Sequence, residues 1–129
     1  MFWQVFIFVC NLLIPALMLI LGWMMYKHTP KEINDIYGYR TTMSRMNKDT
    51  WNFANKYCGK LWIKIGIITL IISLIIQFLF INSNDYIITI ISCMLCIIQA
   101  IVVIFSIIPV EKELKKNFDE KGAKKHDGG

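Results

Sequence analysis

The chain has 129 residues, of which 56% are hydrophobic and 18% are charged, and its formal net charge is +5 at pH 7. This composition is not typical of a soluble globular domain, because the hydrophobic residues form long blocks instead of following the period of half-buried helices or strands. The composition therefore indicates an integral membrane protein.

Three blocks of apolar sequence are long enough to cross a bilayer. Residues 2–26 and 86–108 contain no Asp, Glu, Lys or Arg, and residues 61–81 contain a single charged residue, Lys64. About 20 apolar residues in a helix span the hydrocarbon core, and the alternation of a barrel strand is absent. The sequence therefore predicts an all-α fold, a single membrane domain over residues 1–129 with three transmembrane helices and short amphipathic cytoplasmic helices.

The first block differs from a secretory signal peptide. It has no basic segment before it, it is too long for the apolar core of a signal, and no A-x-A cleavage site precedes Lys27. We therefore expect it to be retained as the first span. Pro15 should kink this span, and Asn11 lies four residues earlier, where freed backbone groups need another partner.

Basic residues are distributed unevenly around the spans. The turn at 82–85 and the extreme N-terminus contain none. By the positive-inside rule, the loop 27–60 and the tail 109–129 are cytoplasmic, whereas the N-terminus and the turn face outward. We predict a multi-pass membrane protein with its N-terminus outside and its C-terminus in the cytoplasm. The basic residues outside the spans are Lys27, Lys31, Arg40, Arg45, Lys48, Lys56 and Lys60 in the loop, and Lys112, Lys115, Lys116, Lys121, Lys124 and Lys125 in the tail.

The loop begins with the pattern of a helix N-terminus. Thr29 is a candidate N-cap, and Glu32, three residues later, can complete a capping box with it. Pro30 suits the first helical position. The pattern predicts a short helix that runs to about Tyr37 and stops at Gly38.

A second helix start is predicted at Asn47, with Asp49 favoured in the first turn by the helix dipole. Beyond it, one helical face carries Trp51, Ala54, Cys58 and Leu61, and the opposite face carries Asn52, Lys56 and Lys60. This amphipathic helix should lie at the headgroup level or bend into the second span. Trp51 and Tyr57 should then lie at the membrane interface, with the two lysines snorkelling.

The tail is predicted to contain a third amphipathic segment. Leu114 and Phe118 are four residues apart, next to Lys115 and Lys116, so residues 110–120 should form a short helix after Pro109. Its apolar side can rest on the membrane interface or on the helix at 47–60. We expect the tail to be docked.

The segment "YGYRTTMSRMNKDTWNFANKYCGK" resembles the signature of the SdpI family of small bacterial membrane proteins, and "PVEKELKKNFDEKGAKK" resembles the end of that family's pattern. The resemblance covers about residues 30–125 and fits the short members, which lack the additional N-terminal membrane half of the larger immunity protein. The matching positions that it implies as partner-binding or lipid-binding residues are Gly38, Tyr39, Arg40, Thr41, Ser44, Asn47, Trp51, Asn55, Lys60, Glu111, Phe118 and Asp119.

The resemblance implies toxin immunity and signalling. The family's named member protects the cytoplasmic membrane from a secreted peptide toxin and holds a transcriptional repressor at the membrane when toxin is present. The implied partners are thus the lipid bilayer, a peptide toxin and an ArsR-type repressor, with no direct contact to nucleic acid. The sequence does not define the oligomeric state.

Individual residues of the loop keep simpler interpretations open. Arg40 follows a turn at Gly38, where its guanidinium can bind a lipid headgroup, a partner, or the acidic residues Glu111 and Glu113 of the tail, or simply face solvent. Asn47 and Asn55 are expected to form caps and local hydrogen bonds more than to bind a ligand.

No pattern in the sequence indicates catalysis or a cofactor. Cys93 and Cys96 form a C-x-x-C, but they lie in the middle of a span, where a thiolate is disfavoured. Histidines and cysteines show no metal-ligand spacing, and no catalytic motif is present. Polar residues in the spans are expected to join helices, because none is charged at mid-span.

Two functions from different classes remain open. The chain is either an immunity and signalling protein that responds to a membrane-active peptide, or a small accessory subunit of a larger membrane complex such as an exporter. The neighbouring genes would distinguish them, since a toxin precursor and a repressor favour the first and exporter genes favour the second.

Overall fold

The structure, a computed structural model, describes residues 2–34 and 36–124. These residues form the helices α1 (Phe2–Lys27), α2 (Lys48–Leu79), α3 (Asp85–Phe105) and α4 (Ile107–Asn117). Helix α1, helix α2 and the nearly continuous pair α3–α4 are each long and apolar enough to cross a membrane. The predicted all-α class with three spanning helices is confirmed. Position 35 of the predicted loop helix, the N-terminal Met1 and residues 125–129 of the predicted tail lie outside the described residues.

Helix α2 contains both the predicted amphipathic helix and the second span. It begins after Asn47, whose side chain accepts a hydrogen bond from the backbone N–H of Thr50 at 2.9 Å. The Thr50 hydroxyl accepts in turn from the Asn47 N–H at 3.1 Å, which completes a capping box. The helix then continues without a break to Leu79, so the amphipathic segment is the first part of the spanning helix and not a separate helix.

The helix α3 ends before the predicted end of the third span at residue 108, and α4 begins earlier than predicted. α3 starts after Asn84, which caps the N–H of Ile87 at 2.9 Å, and it ends at Phe105. After Ser106, α4 begins at Ile107 and includes Pro109 in its first turn. A proline is tolerated there because first-turn N–H groups have no partner within the helix.

The helix predicted from Thr29 to Tyr37 is wrong, since the described residues between α1 and α2 contain no helix. The Thr29 hydroxyl donates to the carbonyl of Met25 at 2.6 Å and so belongs to the end of α1. The side chain of Asn34 accepts from the N–H groups of Ile36 and Tyr37, at 2.9 and 3.0 Å. Such a local side-chain turn competes with a helix for the same backbone groups.

Two glycines bring α1 and α2 into backbone contact. A Cβ added at Gly59 would lie 2.6 Å from the carbonyl oxygen of Gly22 and 2.7 Å from the backbone nitrogen of Tyr26. Small residues allow this close approach, which stabilises helix pairs in lipid through packing where the hydrophobic effect between helices is weak. This contact fixes the position of α2 against the end of α1.

A buried polar layer joins the three spans near the proline of α1. Pro15 has no N–H, so the carbonyl of Asn11 lacks its helical partner. The side-chain amide of Gln99 on α3 donates to this carbonyl at 3.2 Å and to the hydroxyl of Ser73 on α2 at 2.8 Å. The predicted need for another partner near Asn11 is confirmed, and the partner is Gln99.

Candidate functional site

The motif residues gather at one end of the helix bundle, where the loop after α1, the first turns of α2, and α4 with its following turn pack together. We call this region, together with the last turn of α1, the motif end; it comprises residues 25–34, 36–60 and 107–124. Its buried apolar centre is formed by Met25, Tyr39, Ala54, Cys58, Val110, Leu114 and Phe118. Segments far apart in sequence therefore form one packed unit.

Gly38 allows the loop to lie directly on α2. Its φ of +114° is in the region that favours glycine. An added Cβ would also lie 2.6 Å from Oδ1 of Asn55 and 3.3 Å from the ring of Trp51. Both the backbone conformation and the space therefore require glycine at this position.

Tyr39 connects the loop to two helices. Its backbone N–H donates to Oδ1 of Asn55 on α2 at 2.7 Å, and its hydroxyl donates to Oε1 of Glu111 on α4 at 2.7 Å. The side chain is buried. Burial, followed by the hydrogen bond to Glu111 and the charge of that carboxylate, raises the pKa of Tyr39 well above its usual value. The hydroxyl therefore stays protonated and acts as a donor at neutral pH.

Thr41 and Ser44 form the turn that leads into α2. The N–H of Thr41 donates to the Ser44 hydroxyl at 2.9 Å, and that hydroxyl can donate to the carbonyl of Tyr39 at 3.1 Å. The Thr50 hydroxyl contacts the carbonyl of Ser44 at 3.1 Å. Ser44 and Thr50 are fully buried, so these bonds hold the turn rather than present groups to a ligand.

The predicted position of Trp51 at the membrane interface is wrong. Its side chain is fully buried, and its indole N–H donates to the carbonyl of Pro30 at 2.9 Å. Asn55, one turn later, donates to the carbonyl of Trp51 at 2.9 Å while it accepts from Tyr39. Both side chains therefore hold the loop against α2. The loop covers the helix face that the sequence pattern assigned to the lipid headgroups.

The described part of the tail is docked on α2, which is one of the two positions predicted for it. Leu114 is fully buried, and the ring of Phe118 packs edge-on against Phe53 with centroids 5.5 Å apart. The side-chain amide of Asn47 donates to the carbonyl of Gly122 at 2.8 Å. Asn47 thus caps α2, as expected, and also ties the turn after α4 to the start of that helix.

Asp119 organises the turn that follows α4. One of its carboxylate oxygens accepts from the N–H groups of Lys121 and Ala123, both at 2.9 Å. These bonds, that of Ala123 first, lower the pKa of Asp119 below its usual value. The role that the structure gives this residue is to fold the turn.

Two basic residues of the motif, Arg40 and Lys60, are exposed. Lys60 lies on the outward face of α2, with its Nζ 5.6 Å from the centroid of the Tyr26 ring. Arg40 lies on the loop and, together with Arg45, lines a cavity of about 570 Å³. We call this space the arginine cavity. Its other lining residues are Leu21, Met25, Ile36, Tyr37, Gly38, Tyr39, Thr41, Cys58, Trp62, Val103, Ile104, Ser106 and Ile107.

A second depression lies between the loop and the tail. It has a volume of about 730 Å³ and contains both apolar and charged side chains. We call it the tail groove. It is lined by Thr41, Thr42, Met43, Met46, Glu111, Lys115, Phe118, Asp119 and Glu120.

Three contacts of the motif end did not follow from the residue patterns. The carbonyl of Pro30 binds Trp51, Thr50 completes the cap of Asn47, and the carbonyl of Gly122 binds that same asparagine. The spacing of Asn47 and Thr50 is a signal that could have indicated the cap, since it equals that of a capping box. The two backbone carbonyls carry no sequence signal. In the described part of the chain, no three His, Cys, Asp or Glu side chains are grouped as a metal site.

The fold and the motif end together define a small all-α membrane protein in which an interhelical loop is clamped between the second span and an extension of the third. The chain belongs to the SdpI/YfhL protein family, whose sequence profile matches residues 31–110. It is also 35% identical over 100 residues to the Bacillus subtilis (strain 168) protein named "Uncharacterized protein YfhL", covering 78% of this chain and 81% of the relative. No solved structure matches the chain.

Proposed function

We propose that the chain is an SdpI-like immunity and signalling protein that protects the cytoplasmic membrane from a membrane-active peptide toxin and binds an ArsR-type repressor. The observation that carries the proposal is the hydrogen bond between Tyr39 and Glu111. It joins the loop that follows α1 to the helix that continues α3, so a change in the packing of the spans would alter the motif end.

Contact with the peptide takes place, in this proposal, on surfaces of the spans that face lipid. The described residues opposite the motif end include only the start of α1 and the short turn between α2 and α3. Large apolar side chains cover the outer surfaces of the helices instead, such as Ile68 on α2 and Met94 on α3, each 58% exposed. A peptide that enters the bilayer would meet these surfaces first.

Binding of the repressor takes place, in this proposal, in the tail groove. The groove combines exposed apolar surface at Met46, 42% exposed, with the charged side chains of Lys115 and Glu120. A combination of an apolar centre and a charged rim is typical of protein interfaces. Because Glu111 lines the groove and also accepts from Tyr39, a shift of α4 would change the groove directly.

The test of protection is survival of cells that produce the protein during challenge with a membrane-active peptide encoded by a neighbouring gene. Cells with the parent protein should survive, and cells without it should die. Arg40→Lys keeps the charge but loses the planar donor fork, so it should reduce protection if the loop recognises a partner, whereas Lys56→Arg should not. Equal membrane abundance of the variants must be verified. Equal killing with and without the parent protein would refute the immunity function.

The signalling part has its own readout. A repressor-controlled reporter should respond to the peptide in cells with the parent protein, and Met46→Asp in the tail groove should abolish the response while protection remains. Trp51→Ala is unsuitable for this purpose because Trp51 is buried, and its loss would disturb folding. A reporter response that is unchanged in Met46→Asp would show that the groove does not bind the repressor.

One observation favours the second candidate, an accessory subunit of a larger membrane complex. Among the described residues, neither polar atom of the Gln77 side-chain amide has a hydrogen-bond partner, although both atoms are buried. An unpaired amide in an apolar environment is costly. In this candidate, the binding of another protein's helix would shift α2 so that the Gln77 amide reaches a partner. Co-purification of an exporter component with the parent protein, lost in Gln77→Met, would support this candidate.

A further inference from the structure

We infer that the arginine cavity binds an anionic phospholipid of the leaflet on the side of the motif end, with its phosphate on Arg40 and Arg45 and an acyl chain along α3. This inference goes beyond immunity and signalling and does not depend on them. It rests on the composition of the cavity walls and on their position at the end of the spans.

The walls of the cavity divide into an apolar part and a basic part. Leu21 of α1 and the pair Val103 and Ile104 of α3 belong to the spanning helices and line the cavity on the membrane side. Arg40 and Arg45 come from the loop. Such a division matches a ligand that has an apolar chain and an anionic head, and basic pockets between spanning helices are known to bind lipid headgroups.

Among the lining residues that the structure describes, the charged side chains have one sign. They are Arg40 and Arg45, and both are exposed. Each guanidinium has five N–H donors in a planar fork that fits phosphate, so a bond within the protein still leaves donors for a ligand. Arg45, for example, contacts the carbonyl of Asn34 at 3.5 Å. The nearby carboxylate of Glu111 accepts from the Tyr39 hydroxyl and is not part of the lining.

Polar groups of the remaining wall are paired within the protein. The indole N–H of Trp62 donates to the Ser106 hydroxyl at 2.9 Å, and the Tyr37 hydroxyl donates to the carbonyl of His28 at 3.2 Å. These donors are therefore used within the protein, and the anionic group would find its donors at the arginines. This pairing favours a chain-bearing ligand over a small soluble anion.

Lipid can reach the cavity from the side of α3. Ile104, in the lining, is 63% exposed, and its neighbour Phe105 is 58% exposed. An acyl chain in the cavity could continue along these side chains into the bilayer. The volume of about 570 Å³ is in the range of small-molecule sites, about 300–1,000 Å³, and is sufficient for a headgroup and the first part of a chain.

The test is native mass spectrometry of the full chain in detergent with added phosphatidylglycerol, with phosphatidylcholine of the same acyl chains as the comparison lipid. The parent protein should retain phosphatidylglycerol as a discrete adduct and phosphatidylcholine much less. The double variant Arg40→Gln/Arg45→Gln should lower the retained fraction by about tenfold, equivalent to about 1.4 kcal/mol. The matched double variant Lys48→Gln/Lys56→Gln changes the net charge equally at exposed positions of α2 and should retain the lipid.

A third variant tests the apolar part of the cavity without a change in charge. Ile104→Trp replaces an exposed side chain, so the fold should persist, and the larger ring should obstruct the entry of the chain and reduce the adduct. Equal loss in both glutamine doubles, equal retention of the two lipids, or full retention in Ile104→Trp would overturn the inference. Displacement of the lipid by inorganic phosphate alone would also overturn it, because the ligand would then be a free anion.

Discussion

The hydroxyl of Tyr39 donates a hydrogen bond to Oε1 of Glu111 at 2.7 Å, across 72 positions of sequence. The backbone N–H of the same tyrosine donates a second hydrogen bond, to Oδ1 of Asn55 on α2. One residue of the loop therefore connects α2 with α4, and its removal should affect the attachment of both the loop and the tail.

Tyr39→Phe should destabilise the motif end by about 1.5–3 kcal/mol, the usual range for a hydrogen bond to a charged group. The phenylalanine keeps the buried ring and removes only the donor to Glu111. Tyr37→Phe is the matched control, because its hydroxyl bond to His28 is exposed and should contribute less than about 0.5 kcal/mol. Unfolding in detergent, followed by circular dichroism, measures both. Equal midpoints for the two variants would show that the Glu111 bond contributes little.

The raised pKa of Tyr39 predicts a stability that depends on alkaline pH. A group whose pKa is higher in the folded protein contributes stability below its unfolded pKa, about 10 for tyrosine, and loses it as the pH rises further. Tyr39 should therefore leave the midpoint of unfolding unchanged from neutral pH to about 9. Above about pH 10, the parent protein should lose more stability than the Tyr39→Phe variant. Absorbance of tyrosinate should show Tyr39 as a late-titrating group. Ionisation of all tyrosines near pH 10 without unfolding would contradict the buried position.

The spans and the capped start of α2 could be predicted because each depends on local sequence. Apolar length alone indicates the three spanning helices, and Asn47 with Asp49 indicates where α2 begins. The alternation of faces along α2 also holds, since Ala54 and Cys58 are buried whereas Lys56 is exposed. What covers the buried face could not be predicted, because periodicity shows that a face is apolar but not whether lipid or protein lies on it.

The loop shows where local rules fail. Thr29, Pro30 and Glu32 fit a helix start, yet the Thr29 hydroxyl binds back to α1 and the Pro30 carbonyl binds the indole of Trp51. These are contacts between segments distant in sequence, and they outweigh a weak local preference. The residues of the candidate site could be named from the resemblance to a family. Their geometry, including the bond from Tyr39 to Glu111, depends on the fold and could not be predicted from the sequence.

The orientation in the membrane is testable with reporters. Basic residues are concentrated in the loop and the tail, so the motif end should be cytoplasmic. A reporter that is active only in the cytoplasm should work when fused after Gly129, and one that is active only outside should work when inserted at Ser83. The opposite result at both positions would invert the topology and place the arginine cavity in the outer leaflet.

Gly59→Ala should separate α1 from α2. The added Cβ would lie 2.6 Å from the carbonyl oxygen of Gly22, and backbone atoms cannot move aside as a flexible side chain can. We expect a loss of about 1–3 kcal/mol or more from overpacking. At the control position, Gly66→Ala, the nearest atoms belong to the side chain of Leu19 at 3.1 Å, which can adjust. Unfolding by a denaturing detergent compares the two, and an equal effect would argue against the close backbone contact.

Gln99→Met should destabilise the bundle more when Pro15 is present than when it is replaced. The amide of Gln99 donates to the Asn11 carbonyl that Pro15 leaves without a partner, and to Ser73. Its removal should cost about 0.6–2 kcal/mol, the range for hydrogen bonds between spanning helices. Pro15→Ala restores an N–H that can bind the Asn11 carbonyl within α1, so the same glutamine substitution should cost less in that background.

A double-mutant cycle of Pro15→Ala and Gln99→Met measures this coupling as the failure of the two effects to add. Gln77→Met is the matched control, because it also removes a buried amide from a span, but one with no hydrogen-bond partner among the described residues. Removal of an unpaired polar group should be neutral or stabilising. Additive effects in the cycle would show that Gln99 does not replace the bond lost at Pro15. A loss in Gln77→Met as large as in Gln99→Met would show that Gln77 has a partner in the folded protein.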